Sequence, residues 1–114
     1  MGSSLQHFQM RMNGTLQART FYKHVFGWDI EKATPGSSMY EIKQGTEVIG
    51  ELLRPPATRP SAIIAFYKVT SKNTAVSEAV AAGGEQENPD ISVSIKTDYA
   101  IIDDTQQCTF GVFE

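Results

Sequence analysis

The amino-acid sequence predicts an α+β fold, and three observations lead to that prediction. Residues 6–12 alternate between polar and apolar side chains, a pattern typical of a strand with one buried face. Apolar residues then follow at 18, 21, 22 and 25, the spacing of an amphipathic helix. The second half of the chain shows the same order, with a strand pattern over 62–69 and a helix pattern after it.

The first half continues from the helix into three short strands. Asn13, Gly14 and Thr15 supply turn and helix-capping chemistry, so we expect a helix near residues 15–26. Gly27 stands where a glycine often ends a helix. The predicted strands are Trp28–Lys32, Met39–Lys43 and Val48–Leu53, separated by glycine- and proline-containing turns.

The second half begins after a connector, residues 54–60, that contains three prolines. Asn73 is the predicted cap of a helix near residues 73–83, which the glycines at 83 and 84 end. Segment 85–98 has no clear periodicity and contains at most one short strand. The remaining predicted strands are Ala62–Val69, Tyr99–Asp103 and Cys108–Phe113, with Cys108 on a core face beside Phe110 and Val112.

The two halves are candidates for an internal repeat. Aligning Gly27 with Gly84 gives an offset of 57 residues and places His7 opposite Ile64. Residue identity across this alignment is low, so it rests on a shared order of elements. Two interpretations stay open at this point: an internal repeat, or two unrelated strand–helix units of similar length.

Composition narrows the possible classes of function. A chain of 114 residues with 40% hydrophobic and 20% charged residues has the profile of one globular domain. The net charge of −3 argues against a nucleic-acid partner, which requires a basic surface. No apolar run has the length of a membrane span. The single cysteine excludes an internal disulfide, and we expect a cytoplasmic protein.

Residues 18–28 carry a resemblance to a known family. The stretch places an alanine first, then Phe21-Tyr22, and then an apolar pair directly before Gly27-Trp28. It resembles the first-helix motif of the vicinal oxygen chelate superfamily, which includes glyoxalases, bleomycin-resistance proteins and extradiol dioxygenases. The resemblance covers nearly the whole chain.

The resemblance implies a specific architecture. It predicts a single domain over residues 1–114 with a first βαβββ module at 5–53, the proline-rich connector at 54–60 and a second module at 61–114. The two modules of this superfamily form an open, curved, mixed sheet around a central cleft. The resemblance also implies a homodimer.

Active members of the superfamily bind a divalent metal through His and Glu ligands, one from each of four strands. His7 stands at the spacing of the first ligand, but the equivalent residue of the second module is Ile64. The last-strand position falls on Phe110 or Gly111. Aligning residues 49–51 with 110–112 puts Gly50 at the remaining position and turns Glu51 away from the cleft.

The metal site implied by the resemblance is thus incomplete in this sequence. We expect no cofactor, and if a divalent metal binds, His7 and Glu51 are its candidate ligands. His7 has a structural interpretation as well, namely a hydrogen-bonded polar residue within a strand.

Strand alternation predicts which side chains line the cleft. They comprise polar residues of the first strand and apolar residues of the second module, with glycines at 50 and 111 that would enlarge the space. The predicted cleft residues are His7, Gln9, Arg11, Ile64, Phe66, Lys68, Thr109, Gly111 and Phe113. An apolar and aromatic floor with a few polar groups is typical of a small-molecule site.

Three functions compete at this stage. The first is a metal-free protein that binds a small organic ligand, as bleomycin-resistance proteins do. The second is a metal-dependent lyase, isomerase or dioxygenase that uses His7 and Glu51. The third is a non-catalytic module for protein interaction. Metal content would separate the second function from the others, and a ligand held in the cleft would separate the first from the third.

Overall fold

The chain is an α+β protein with two helices and eight strands over residues 4–114, which are the residues that the computed structural model describes. Residues 1–3 of the predicted single domain lie outside the described part. The elements are β1 (Ser4–Arg11), α1 (Thr15–Phe26), β2 (Asp29–Lys32), β3 (Tyr40–Gln44), β4 (Glu47–Leu53), β5 (Ala62–Lys68), α2 (Lys72–Ala81), β6 (Glu85–Gln86), β7 (Tyr99–Asp103) and β8 (Thr109–Phe113). The strands belong to an open mixed sheet that does not close into a barrel, in the order β2-β3-β4-β1-β5-β8-β7-β6. The predicted fold class and the order of elements are confirmed.

Helix α1 begins and ends as predicted, but no side chain caps its first turn. Gly27 adopts a left-handed conformation with φ of 74°, and its N–H donates to the Lys23 carbonyl at 2.8 Å. Glycine has no Cβ to oppose this conformation. At the other end, Gly14 holds the N-cap position within the predicted segment 13–15, without a capping hydrogen bond from a side chain.

Helix α2 is capped by a different residue from the predicted one. Ser71 has an extended backbone, and its Oγ accepts a hydrogen bond from the Thr74 N–H at 3.2 Å. Asn73 lies inside the first turn of the helix and is exposed. The prediction of Asn73 as the cap is therefore wrong, because the helix begins at Lys72.

The described chain divides into two compact units. One is continuous in sequence, Phe8–Ile63, and the other combines the chain up to His7 with Ile64–Glu114. In the continuous unit β1 pairs in parallel with β4. On its other side β4 pairs antiparallel with β3, and β3 pairs antiparallel with β2. Its core consists of buried apolar residues on α1 and the strands: Met10, Ala18, Ile30, Ile42 and Leu52.

The second unit has an equivalent internal order. Strand β5 pairs in parallel with β8, which is followed by β7 and the two-residue strand β6. Its helix-side core is formed by Ala100, Ile102 and Val112, against which Ala75, Val76 and Ala79 of α2 pack. One face of this strand group is therefore covered by a helix.

Cys108 does not belong to that core. Its side chain is exposed, and strand β8 begins one residue later, at Thr109. The Cys108 N–H donates to Asp104 Oδ1 at 3.0 Å, so the residue belongs to the turn between β7 and β8. The prediction of Cys108 as a core residue is wrong because the strand was extended one residue too far, whereas Phe110 and Val112 do pack beneath α2.

Among residues 4–114, neither helix combines the length and the apolar character required to cross a bilayer.

Candidate functional site

A chain of buried polar side chains crosses β1 and β4 in the continuous unit. Gln9 Nε2 donates to Glu51 Oε1 at 2.7 Å, and Arg11 Nε donates to Gln9 Oε1 at 2.6 Å. None of the three residues is more than 2% exposed. The amide of Gln9 thus connects a buried cation to a buried anion, and each charge has a hydrogen-bonding partner, as burial requires. We call these three residues the polar chain.

The pairing of the strands corrects the predicted orientation of Glu51. Gln9 pairs with Glu51, and Phe66 pairs with Gly111. Because Gln9 and Phe66 are related by the repeat offset of 57 residues, Glu51 rather than Gly50 is the counterpart of Gly111. Glu51 therefore lies on the same face of the strands as Gln9, and the predicted orientation was wrong by one residue of register.

Gly50 lies on the opposite face, toward α1. A Cβ at Gly50 would stand 2.7 Å from the Phe8 carbonyl oxygen and 3.0 Å from the Phe8 ring. The glycine therefore permits close packing beside an aromatic core residue, and the prediction that Gly50 enlarges the cleft is wrong.

The polar chain does not fit a metal centre. The Glu51 oxygen nearest Gln9 already accepts a short hydrogen bond, and no group of three or more His, Cys, Asp or Glu residues close enough to share an ion occurs within residues 4–114. The Ile64 and Gly111 side chains offer no donor atoms. A protein site for a divalent transition metal generally requires three or four converging donors. The described residues thus disagree with the four-ligand metal site that the resemblance implies.

The second unit carries an apolar and aromatic surface on the sheet face opposite α2. Strand pairing places Phe66, Gly111 and Ile101 side by side across β5, β8 and β7. Ile64 and Phe113 follow on the same face by strand alternation. We call these five residues the aromatic face; all are buried.

Ring contacts hold the aromatic face together. The His7 ring meets Phe66 edge to face with centroids 5.3 Å apart, and Phe66 lies 6.5 Å from the Phe113 ring. A Cβ at Gly111 would stand 2.7 Å from the Phe66 ring. Glycine at 111 therefore leaves room for the Phe66 ring, which fills the space beside it.

Two predicted residues lie at the ends of this face. Lys68 is exposed, and Thr109 is partly buried, with its hydroxyl donating to Asp103 Oδ1 at 2.7 Å. The nine predicted cleft residues thus fall into two groups. Gln9 and Arg11 belong to the polar chain of one unit, and the other seven belong to the second unit.

Comparison with solved structures shows that the same fold occurs elsewhere. Hypothetical protein BH1468 from Bacillus halodurans matches with a TM-score of 0.65 and 14% identity, over 98% of this chain and 94% of that chain. Homoprotocatechuate 2,3-dioxygenase from Brevibacterium fuscum, in complex with 3,4-dihydroxyphenylacetate, matches with a TM-score of 0.63 and 16% identity. That match covers 96% of this chain and 35% of the dioxygenase chain.

The chain has a dioxygenase-like fold. The enzyme from Arthrobacter globiformis agrees, with a TM-score of 0.64 and 14% identity over 96% of this chain and 35% of that chain. Our chain spans about a third of the dioxygenase chains. No protein-family profile and no curated protein sequence matches it. At such identities the likeness concerns the fold alone, and it is consistent with the vicinal oxygen chelate architecture.

Several residues near the aromatic face were not predicted from the sequence. Ile101 is on the face, although its position was available from the alternation of residues 99–103. Glu87, Ser92 and Lys96 come from the aperiodic stretch 85–98. Ser92 Oγ donates to Glu87 Oε1 at 2.7 Å, and the Lys96 ammonium lies 4.7 Å from the centroid of the Phe113 ring. No sequence pattern predicted these contacts, because the residues that make them lie in a segment without periodicity.

A separate open groove of about 440 Å³ lies on the surface of the continuous unit. It is lined by residues of α1 and β2: Leu16, Arg19, Thr20, Lys23, His24 and Ile30. Arg19 Nε donates to the Ile30 carbonyl at 2.9 Å, and Lys23 contacts Asp29 at 2.6 Å. The hydrogen bond from Lys23, together with its positive charge, lowers the pKa of Asp29. Two of the groove's cations are thus engaged within the chain.

Proposed function

We propose that the chain is a small-molecule-binding protein of the glyoxalase and bleomycin-resistance type, which binds a planar, apolar organic ligand on the aromatic face without a catalytic metal. The observation that carries the proposal is the second apolar face of the β5–β8–β7 strands. Helix α2 covers one face of these strands, whereas the other bears two phenylalanine rings, both buried in the free chain.

The chemistry of this face favours a flat ligand. Aromatic rings attract other planar groups through offset or edge-to-face contacts, which add to the free energy of apolar burial. Phe66 and Phe113 supply two such rings, and His7 stands edge-on beside Phe66. The His7 imidazole adds one polar group to an otherwise apolar surface, a combination that fixes the orientation of a ligand in small-molecule sites.

A fluorescent binding experiment tests this proposal. We expect N-phenyl-1-naphthylamine, a flat and uncharged probe, to bind with increased fluorescence. Phe113→Leu keeps an apolar side chain but removes a ring, so the probe should bind about three- to tenfold more weakly. Phe21→Leu is the matched control, because Phe21 is 58% exposed on α1. Equal weakening by both substitutions, or no binding by the wild-type chain, would contradict the proposal.

The absence of a catalytic metal is part of the proposal and has its own test. Elemental analysis of purified protein should find no stoichiometric zinc, nickel, iron or manganese, and His7→Ala should leave the metal content unchanged. The support is the donor set of the described residues, which lacks three converging ligands. One metal per chain that is lost on replacing His7 or Glu51 would restore the alternative of a metal-dependent lyase, isomerase or dioxygenase.

We also propose that the chain forms a homodimer. Helix α1 buries one residue, Ala18, and exposes large apolar side chains that a second copy would cover. These are Leu16, Phe21, Val25 and Phe26, each at least 50% exposed. Phe21 and Val25, four residues apart, share one face of the helix, and a contiguous exposed apolar patch is typical of interaction surfaces.

A further inference from the structure

The connection between β6 and β7 is longer than its ends require. The two strands are antiparallel neighbours, and just beyond β6 the Glu87 N–H still donates to the Ile101 carbonyl of β7 at 2.7 Å. The ends of the connection are therefore close together. Antiparallel neighbours are commonly joined by two to five residues. Here residues 88–98 intervene, with neither helix nor strand among them. We call this segment the strap.

Polar contacts fasten the strap beside the aromatic face. Ser92 is buried, and its hydroxyl donates to the buried Glu87 carboxylate at 2.7 Å. The Tyr99 hydroxyl donates to the Ser92 carbonyl at 2.7 Å. Further along, the Lys96 ammonium stands over the Phe113 ring, in the geometry of a cation–π contact. The strap thus contacts Phe113, one of the two rings of the aromatic face.

Two apolar residues of the strap are largely exposed. Its residues Ile91 and Val93 are 38% and 45% exposed. Asp98, at its end, has φ of +51°, a left-handed conformation that is unfavourable for residues other than glycine, although aspartate tolerates it better than most. Polar contacts also fasten its end, where the Asp98 carboxylate lies 2.9 Å from the Lys72 ammonium. A segment held mainly by hydrogen bonds and ion pairs opens at lower free-energy cost than a strand packed on both faces.

We propose that the strap is a gate of the ligand site: it covers part of the aromatic face in the free chain and must be released before a ligand reaches Phe113. The Ser92–Glu87 hydrogen bond is the latch, and Lys96 occupies the ring surface that the ligand takes over. This inference rests on the proposed function, because it assigns the control of access to the same site.

Ser92→Ala tests the latch with little change in volume. Loss of this hydrogen bond should increase hydrogen exchange of the strap amides about five- to tenfold and raise the association rate of N-phenyl-1-naphthylamine by a similar factor. Ser77→Ala is the matched control, since Ser77 is exposed on α2. It should change neither quantity. Glu87→Gln is a second latch variant, expected to act in the same direction.

The outcomes separate the gate from the ligand site itself. Faster exchange at residues 88–98 together with faster probe association in the Ser92 variant supports the gate. Unchanged exchange in both latch variants overturns it, as does probe association that stays at the wild-type rate while exchange rises. Absence of probe binding in the wild-type chain and in every variant contradicts the proposed function. Probe binding whose association rate is the same in the wild-type chain and in both latch variants contradicts only the gate.

Discussion

At the scale of single residues, two members of the polar chain were predictable from the sequence and the third was not. Alternation along β1 correctly placed Gln9 and Arg11 on one face. It did not place Glu51 beside them, because the pairing of β4 depends on a register that one residue of slip reverses. The β3–β4 ladder has such an irregularity, between Ile42 and Lys43. Local patterns carry no information about a shift of this kind.

Removing the cation of the polar chain should destabilise the protein. In Arg11→Met the side chain keeps its apolar length, but Gln9 loses its donor and the Glu51 anion loses the cation at the far end of the chain. Loss of a buried hydrogen bond to a charged group costs about 2 to 3 kcal/mol. The free energy of unfolding, measured with urea, should fall by that amount.

Arg54→Met is the control for this measurement. Arg54 is exposed, so its replacement removes a solvated charge and should change the free energy of unfolding by less than about 0.5 kcal/mol. Equal values for the two variants would show that the polar chain does not stabilise the fold.

At the scale of elements, both helices were predictable, but the residue that caps α2 was not. The apolar stripe over Ala18–Val25 predicted residues 15–26, which is the observed extent of α1. For α2, however, both Ser71 and Asn73 are residue types that cap helices. The choice between them depends on where the chain leaves β5, a tertiary constraint. The strap escaped prediction for a related reason, since its contacts have no periodicity.

The position of the α2 cap gives a direct test. Ser71→Ala removes the side chain that accepts from the Thr74 N–H, so the free energy of unfolding should fall by about 1 kcal/mol. Asn73→Ala should be neutral or stabilising, because Asn73 is exposed in the helix and alanine is the better helix former. Chemical denaturation measures both. A larger loss for the Asn73 variant would support the cap predicted from sequence.

At the scale of the whole molecule, the fold class was predictable because two weak signals agreed. The order of elements recurred in both halves, and residues 18–28 resembled a first-helix motif; similarity to dioxygenase structures agrees with both. Function was less accessible. Two positions of the metal site implied by the sequence resemblance fall on Ile64 and Gly111, whose side chains carry no donor atoms and do not indicate which organic ligand binds.

Oligomeric state is testable at this scale. Sedimentation velocity at micromolar concentration should show a dimer. Phe21→Asp, which puts a charge among the exposed apolar residues of α1, should shift the protein to monomer. Val80→Asp is the matched control, because Val80 is 52% exposed on α2, and this variant should remain dimeric. A monomeric wild-type chain would contradict the homodimer.

The division of β1 between the two units has a consequence for synthesis on the ribosome. The unit formed by Phe8–Ile63 is continuous, so its residues emerge together and it is able to acquire its core while the rest is still being translated. The other unit joins His7, made early, to Phe66 and the strands after it. This unit begins to fold only after Phe66 has been translated, because its partner His7 lies more than fifty residues earlier in the chain. The unit that carries the aromatic face should therefore fold later and more slowly, because its contacts join residues far apart in the sequence.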